Sequence, residues 1–246
     1  MNTNFNSNSN YGAYNTTSTN YTVADAEPSV RAEFIRKTYS HLAGAILLFS
    51  ALEYILINSP LAEPILNTML GGRFSWLIVL GAFMGISYLA NWWANSQTSK
   101  TMQYLGLGLF VVAESILFLP LLYIAAERTG GSNIIGQAGI ITLTLFAALT
   151  ATVFVTRRDF SFLQPILMIG GFVALGVIVA SILFGFNLGL LFSAVMVLFA
   201  AGAILYDTSN VMNRYNPNQH VAASLALFSS VALMFWYVLR ILMGRR

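Results

Sequence analysis

Residues 173–183 read Val-Ala-Leu-Gly-Val-Ile-Val-Ala-Ser-Ile-Leu, inside a longer segment, Phe162–Phe184, that holds no Asp, Glu, Lys or Arg. About 20 apolar residues in a helix, at ~1.5 Å each, cross the ~30 Å hydrocarbon core of a bilayer. A strand of a membrane barrel would alternate apolar and polar residues over about ten positions, and residues 173–183 do not alternate. Lipid offers no water to backbone N–H and C=O groups, so the segment must satisfy them internally, as a helix.

Six further apolar segments of similar length flank this one: Phe34–Ile57, Phe74–Trp93, Met102–Ala126, Asn133–Val155, Leu188–Ser209 and Val221–Met243. Arg157, Arg158 and Asp159 separate the fourth and fifth. Gly185 to Asn187 is almost all that joins the fifth and sixth, and Glu127 to Ser132 joins the third and fourth. Such short links make successive helices antiparallel neighbours in one bundle. The predicted fold class is therefore all-α, a polytopic membrane bundle of seven transmembrane helices. Trp92 with Trp93 and Trp236 with Tyr237 fall near span ends, where aromatic residues anchor at the headgroups.

Composition excludes the alternatives. Hydrophobic residues make up 57% of the 246 and charged residues 9%, against about 45–50% and about 25% in an average soluble domain. The net charge is +3, but the bases are scattered between apolar runs. No basic cluster with interleaved aromatics marks a nucleic-acid surface. The absence of cysteine removes disulfides, thiolate catalysis and thiolate metal sites. Residues 1–30 are polar, with seven Asn from Asn2 to Asn20. They lack the basic start and apolar run of a signal peptide and are read as a disordered tail ahead of a membrane domain over 31–246.

The Lys and Arg residues set an orientation. With the N-terminus cytoplasmic, Arg31, Arg36, Lys37, Lys100, Arg157, Arg158 and Arg214 lie inside, while Arg73, Arg128, Arg240, Arg245 and Arg246 lie outside. The first span carries three of the inside charges, so the expectation is a cell (inner) membrane protein with its N-terminus cytoplasmic and its C-terminus outside.

Ionisable residues inside a span cost about 2.5–3.5 kcal/mol on the gentlest insertion scales and mark function by default. Three acids qualify. Glu114 is the most central, with Pro120 following it and predicting a kink beside a polar cavity; a neutral Glu bonded to a neighbouring helix is the plain alternative. Glu53 lies near the outer end of the first span and is read as an interfacial acid reaching water. Asp207 sits in Gly202-Ala203-Ile204-Leu205-Tyr206-Asp207-Thr208-Ser209-Asn210. There small residues, Gly202 and Ala203 among them, admit a partner helix one turn before an acid, two hydroxyls and an amide. Gly170 and Gly171 are also read as packing sites. His41 and His220 have no partner at metal-ligand spacing, so no metal site is expected, and no catalytic triad, Gly-x-Ser-x-Gly or phosphate loop is present. No cofactor is implied.

Residues Gly202–Asn210 resemble the signature of the Bax inhibitor-1 family: small residues followed by Leu-Tyr/Phe-Asp/Glu-Thr/Ser. Two further stretches, Phe34-Ile35-Arg36-Lys37-Thr38-Tyr39 and Thr156-Arg157-Arg158-Asp159-Phe160-Ser161-Phe162-Leu163, are similar to the family's bacterial YccA-like branch. The three fall in order across residues 34–212. The resemblance implies six helices packed around a hydrophobic seventh, here Val221–Met243.

It also implies function. Some family members behave as pH-sensitive calcium leak channels, in which Asp residues of helices six and seven share a proton and latch the pore. Two close carboxylates cannot both ionise cheaply, so their proton occupancy follows pH. Asp207 matches the first of these. Aligning Val238-Leu239-Arg240 with the usual end of helix seven places Ser230 where the second Asp belongs, Phe228 for a usual Tyr and Leu233 for a usual Asn. The di-acid latch is then incomplete, because a Ser hydroxyl donates or accepts a hydrogen bond but does not titrate near neutrality. The YccA-like branch is linked to the membrane-embedded AAA protease FtsH, which it restrains. Two readings follow, beside a weaker one of an intramembrane hydrolase without a catalytic set. The first is a non-enzymatic modulator of membrane quality control whose tail such a protease grips. The second is a leak channel, passing Ca²⁺ or protons, with Asp207 and Glu114 lining a cavity. Lipid is the certain partner in both.

Overall fold

The computed structural model describes residues 21–96, 99–128 and 133–244. Among them the helices are α1 (Pro28–Ile57), α2 (Ala62–Leu70), α3 (Arg73–Ala94), α4 (Lys100–Arg128), α5 (Asn133–Thr156), α6 (Leu163–Phe184), α7 (Gly189–Asn213) and α8 (His220–Gly244). All but α2 are long and apolar enough to cross a membrane. The chain is a multi-pass membrane bundle, as the run around residues 173–183 requires. Its outer residues are those of a lipid-solvated surface: on α6, Phe172 is 72% and Phe184 81% exposed, contacts that water would punish and acyl chains accept.

Two boundaries differ from expectation. The first helix starts at Pro28, six residues before Phe34, because proline suits a first helical position, where its missing N–H is not needed. The second is α2. Its nine residues are too few to span, but Ala62, Leu66 and Met69 are its buried positions, a helical spacing of four and three that turns one face inward against α3 and α4.

Successive long helices run antiparallel. The N-terminal end of α1 therefore shares one face of the bundle, the N face, with the α3–α4, α5–α6 and α7–α8 connections; the other, the C face, holds α2, the α6–α7 turn and the end of α8. Gly185 closes α6 at φ 76°, and its N–H bonds the Ser181 carbonyl; this left-handed turn is one that glycine adopts without strain. Arg157 takes φ 50° after α5 without that freedom, at a cost of about 1–2 kcal/mol.

The α8 helix packs on α1, α3, α4, α5 and α7, and α4 packs on α1, α2, α3, α5 and α8. Between α1, α4 and α8 lies an aromatic cluster. Phe49 meets Phe118 at 5.1 Å and Phe228 at 5.9 Å, and Phe118 meets Trp236 at 4.8 Å, edge to face. Such pairs add about 0.5–1.5 kcal/mol each beyond the area they bury.

The tightest helix approach is at Gly106 of α4. A Cβ there would stand 2.5 Å from the Ala90 carbonyl oxygen and 2.6 Å from the Ala94 nitrogen, both α3 backbone. Gly170 of α6 is close to Phe199, where a Cβ would meet the ring at 3.0 Å. Gly202 faces α6. A Cβ there would make an ordinary 3.6 Å contact with Leu167, and Ala203 beside it is half-buried.

Candidate functional site at the polar end of α7

The last two turns of α7 carry Asp207, Thr208, Ser209 and Asn210, and the three stretches singled out from the sequence meet around them. From α8, the Ser230 hydroxyl donates to Asp207 Oδ2 at 2.5 Å, the short distance of a hydroxyl bonded to a carboxylate. From the α5–α6 connection, the Phe160 N–H donates to Ser209 Oγ at 3.0 Å, and Ser209 Oγ in turn donates to Asp159 Oδ1 at 3.3 Å. From α1, Tyr39 lies beside Thr208 and Thr150 of α5, although none of the three hydroxyls makes a bond of good geometry. The Phe34 ring lies 6.4 Å from Tyr215, and the Ser224 hydroxyl donates to the Thr38 carbonyl at 2.8 Å.

Several oxygens here are buried without a hydrogen-bond partner among the described residues: Thr38 Oγ1, Tyr39 Oη, Thr208 Oγ1 and Asn210 Oδ1. Buried polar atoms are rarely left so. Clustered at one end of a bundle, they make a site with oxygen ligands to offer.

Asp159 is exposed, and its carboxyl sits below the ordinary value of 3.8, chiefly because it accepts the Ser161 backbone N–H, with the Ser161 and Ser209 hydroxyls and Arg214 adding to this. Tyr215, just beyond α7, is pushed upward by burial and then by the nearby charge of Asp207.

A strap closes this end from below. The Val23 N–H donates to the Tyr215 carbonyl at 2.8 Å, Asn216 Nδ2 donates to the Tyr21 carbonyl at 3.3 Å, and Val23 is fully buried. Residues 1–20 of the expected tail lie outside the described residues; Val23 and its neighbours are docked on the α7–α8 connection.

The other predicted acids lie elsewhere. Glu114 is 6% exposed and lines a cavity among α3, α4, α6 and α8. Asp207 is not among the described residues that line that cavity. On α8, Ser229 borders the cavity while its neighbour Ser230 faces Asp207. Successive residues on a helix point about 100° apart, so the two acids meet different faces of α8. The expectation for Glu53 is corrected. It is 4% exposed, with neither carboxylate oxygen bonded, and lies within electrostatic reach of Glu114. It continues the inward face of Leu42, Ala45 and Phe49 and does not reach water at the span's end.

Sequence reasoning missed the histidines' encounter. His41 and His220 stand with rings 5.0 Å apart, and His41 bonds the Lys37 carbonyl (2.7 Å) and the Tyr104 hydroxyl (3.1 Å). Three helices contribute, so no spacing along the chain could reveal it. Among the described residues no group of three or more His, Asp or Glu is placed to hold a metal.

A seven-span bundle whose sixth span ends in an acid bonded to the seventh defines a class of multi-pass membrane protein, with its polar site at one end of a helix pair. The chain belongs to the Bax inhibitor-1 family: the family model described as "Inhibitor of apoptosis-promoting Bax1" matches residues 31–246. It is 31% identical to a BI1-like protein of Arabidopsis thaliana over 224 residues, covering 88% of this chain and 82% of that one. It is 28% identical to Bax inhibitor 1 of Schizosaccharomyces pombe over 228 residues, 89% and 79% of the two chains. A Golgi anti-apoptotic protein of vaccinia virus is 27% identical over 225 residues, 89% of each.

Proposed function

We propose that the chain is a non-enzymatic membrane protein that lets Ca²⁺ leak across its bilayer, with the Asp207–Ser230 bond as the latch. α8 is the central helix of this reading, and the N face is cytoplasmic. The observation that carries it is the 2.5 Å bond joining α7 to α8, at the two positions where leak-conducting members of the family hold paired acids. A hydrogen bond to a charged group contributes about 1.5–3 kcal/mol, enough to bias two packings of a helix pair. Ca²⁺ takes 6–8 oxygen ligands. An ion arriving at Asp207 competes with Ser230 for the carboxylate, and the unbonded oxygens of Thr208 and Asn210 lie on the same two turns. Binding therefore opposes the latch.

The test is Ca²⁺ entry into liposomes that hold the purified protein and a calcium dye. Flux is expected for the native chain and a changed flux for Asp207→Asn. No flux at any pH would remove the reading.

A second reading, restraint of an FtsH-type protease as in the YccA-like branch, is favoured by the polar segment ahead of Val23, seven Asn by Asn20. Removing residues 2–20 is expected to lengthen the protein's half-life beside the protease. An unchanged half-life would count against it.

A further inference from the structure

The cavity among α3, α4, α6 and α8 is not needed for the latch. It encloses about 460 Å³, within the roughly 300–1,000 Å³ of small-molecule sites. Trp76, Phe83, Phe118, Trp236 and Tyr237 form much of its wall, and Glu114 is its one acid among the described residues. Glu114 makes no hydrogen bond or ion pair with another described residue, and behind it Glu53 adds a second buried carboxyl with both oxygens unbonded.

The one base on the wall among the described residues is Arg240. The ring contacts of Phe110 with Phe228, and of Phe118 with Phe235 and Trp236, put α4 and α8 in register. Glu114 is then level with Ala232. Arg240 lies eight residues further along α8, about 12 Å at ~1.5 Å per residue, towards the C-face rim. It guards the mouth and does not neutralise the acids.

A carboxylate without a bonded base, deep in a span, is stabilised by whatever cation reaches it. Aromatic faces attract the same charge, by about 0.5–2 kcal/mol per contact. A bare metal ion would find few oxygens on this wall and an anion would meet the Glu114 carboxylate. An organic cation with a bulky apolar body satisfies the walls and the charge together.

We propose that this cavity binds lipophilic organic monocations, quaternary ammonium or phosphonium in type, with Glu114 as counter-ion.

The test compares two ions of nearly the same shape and opposite charge, tetraphenylphosphonium and tetraphenylborate. Each is dialysed to equilibrium against the full chain in nanodiscs and against empty nanodiscs of the same lipid. Saturable phosphonium binding above the lipid background is expected, with none for the borate. Glu114→Gln should weaken it at least about tenfold, while Glu114→Asp keeps most of it. Trp76→Leu, which leaves the acids in place, should weaken it several-fold. No saturable phosphonium binding by the native chain, equal binding of both ions, or unchanged binding in Glu114→Gln or Trp76→Leu would each overturn the proposal.

Discussion

Ser230 shows what one side chain decides. Its hydroxyl is the only part of it that reaches Asp207 Oδ2, so Ser230→Ala removes the bond and leaves a partly buried carboxylate short of a donor. About 1.5–3 kcal/mol of stability is expected to go with it, read as a lower melting temperature of the detergent-solubilised protein; an unchanged melting temperature would mean the bond holds nothing. Asp159 answers to pH instead. Its carboxyl lies below the ordinary 3.8, first through the Ser161 N–H. A carboxyl with a depressed folded value stabilises above its unfolded value and loses that stabilisation as pH falls through the folded one. The gap in stability between the native chain and Asp159→Asn should thus be constant from about pH 8 to about pH 5 and shrink below about pH 4, and it should be small, since the residue is exposed. A gap that widened in acid would reverse the assignment. At this scale the sequence was informative where chemistry was unusual. Asp207 and Glu114 stood out because acids in apolar spans are costly, and the alignment of residues 238–240 brought Ser230 forward. Thr150 did not stand out, because hydroxyls are common in spans and only the fold reveals which of them face one another.

Helices meet where a side chain is missing. At Gly106 the neighbours are α3 backbone atoms, which cannot rotate away, so Gly106→Ala is expected to part α3 from α4 and cost about 1–3 kcal/mol. Gly108 has open space beside its Cα, and Gly108→Ala should be neutral or stabilise by up to about 1 kcal/mol through helix propensity. Thermal melts of the two variants check the contrast; equal effects would mean that the approach at Gly106 is not tight. The long helices were legible because lipid imposes one length and one composition on each. The short α2 was not, since nine residues with three inward positions lie below what a span-length reading detects. Gly202 drew attention through its neighbours, while Gly106, in Tyr104-Leu105-Gly106-Leu107-Gly108, carries no mark to distinguish it from Gly108. Its role depends on which face of α4 meets α3, and a helix apolar on all sides does not reveal that face.

Among the described residues seven helices are of span length, and Glu114 and Asp207 meet different faces of α8. An odd number of crossings would put the two termini on opposite sides of the membrane. Since the chain has no cysteine, single cysteines report sidedness without background. Asn218→Cys in the α7–α8 connection is expected to be shielded from an impermeant maleimide in intact cells and Asn187→Cys in the α6–α7 turn to react; the opposite pattern would invert the orientation. The proposed leak depends on whether α7 and α8 separate at Asp207, and Ser230→Asp asks this most directly by completing the pair of acids. In calcium-loaded liposomes stepped through pH, with a thermal melt to show that the variant folds, the flux of Ser230→Asp is expected to depend on pH more steeply than that of the native chain. Identical pH profiles from two folded, conducting proteins would contradict the latch.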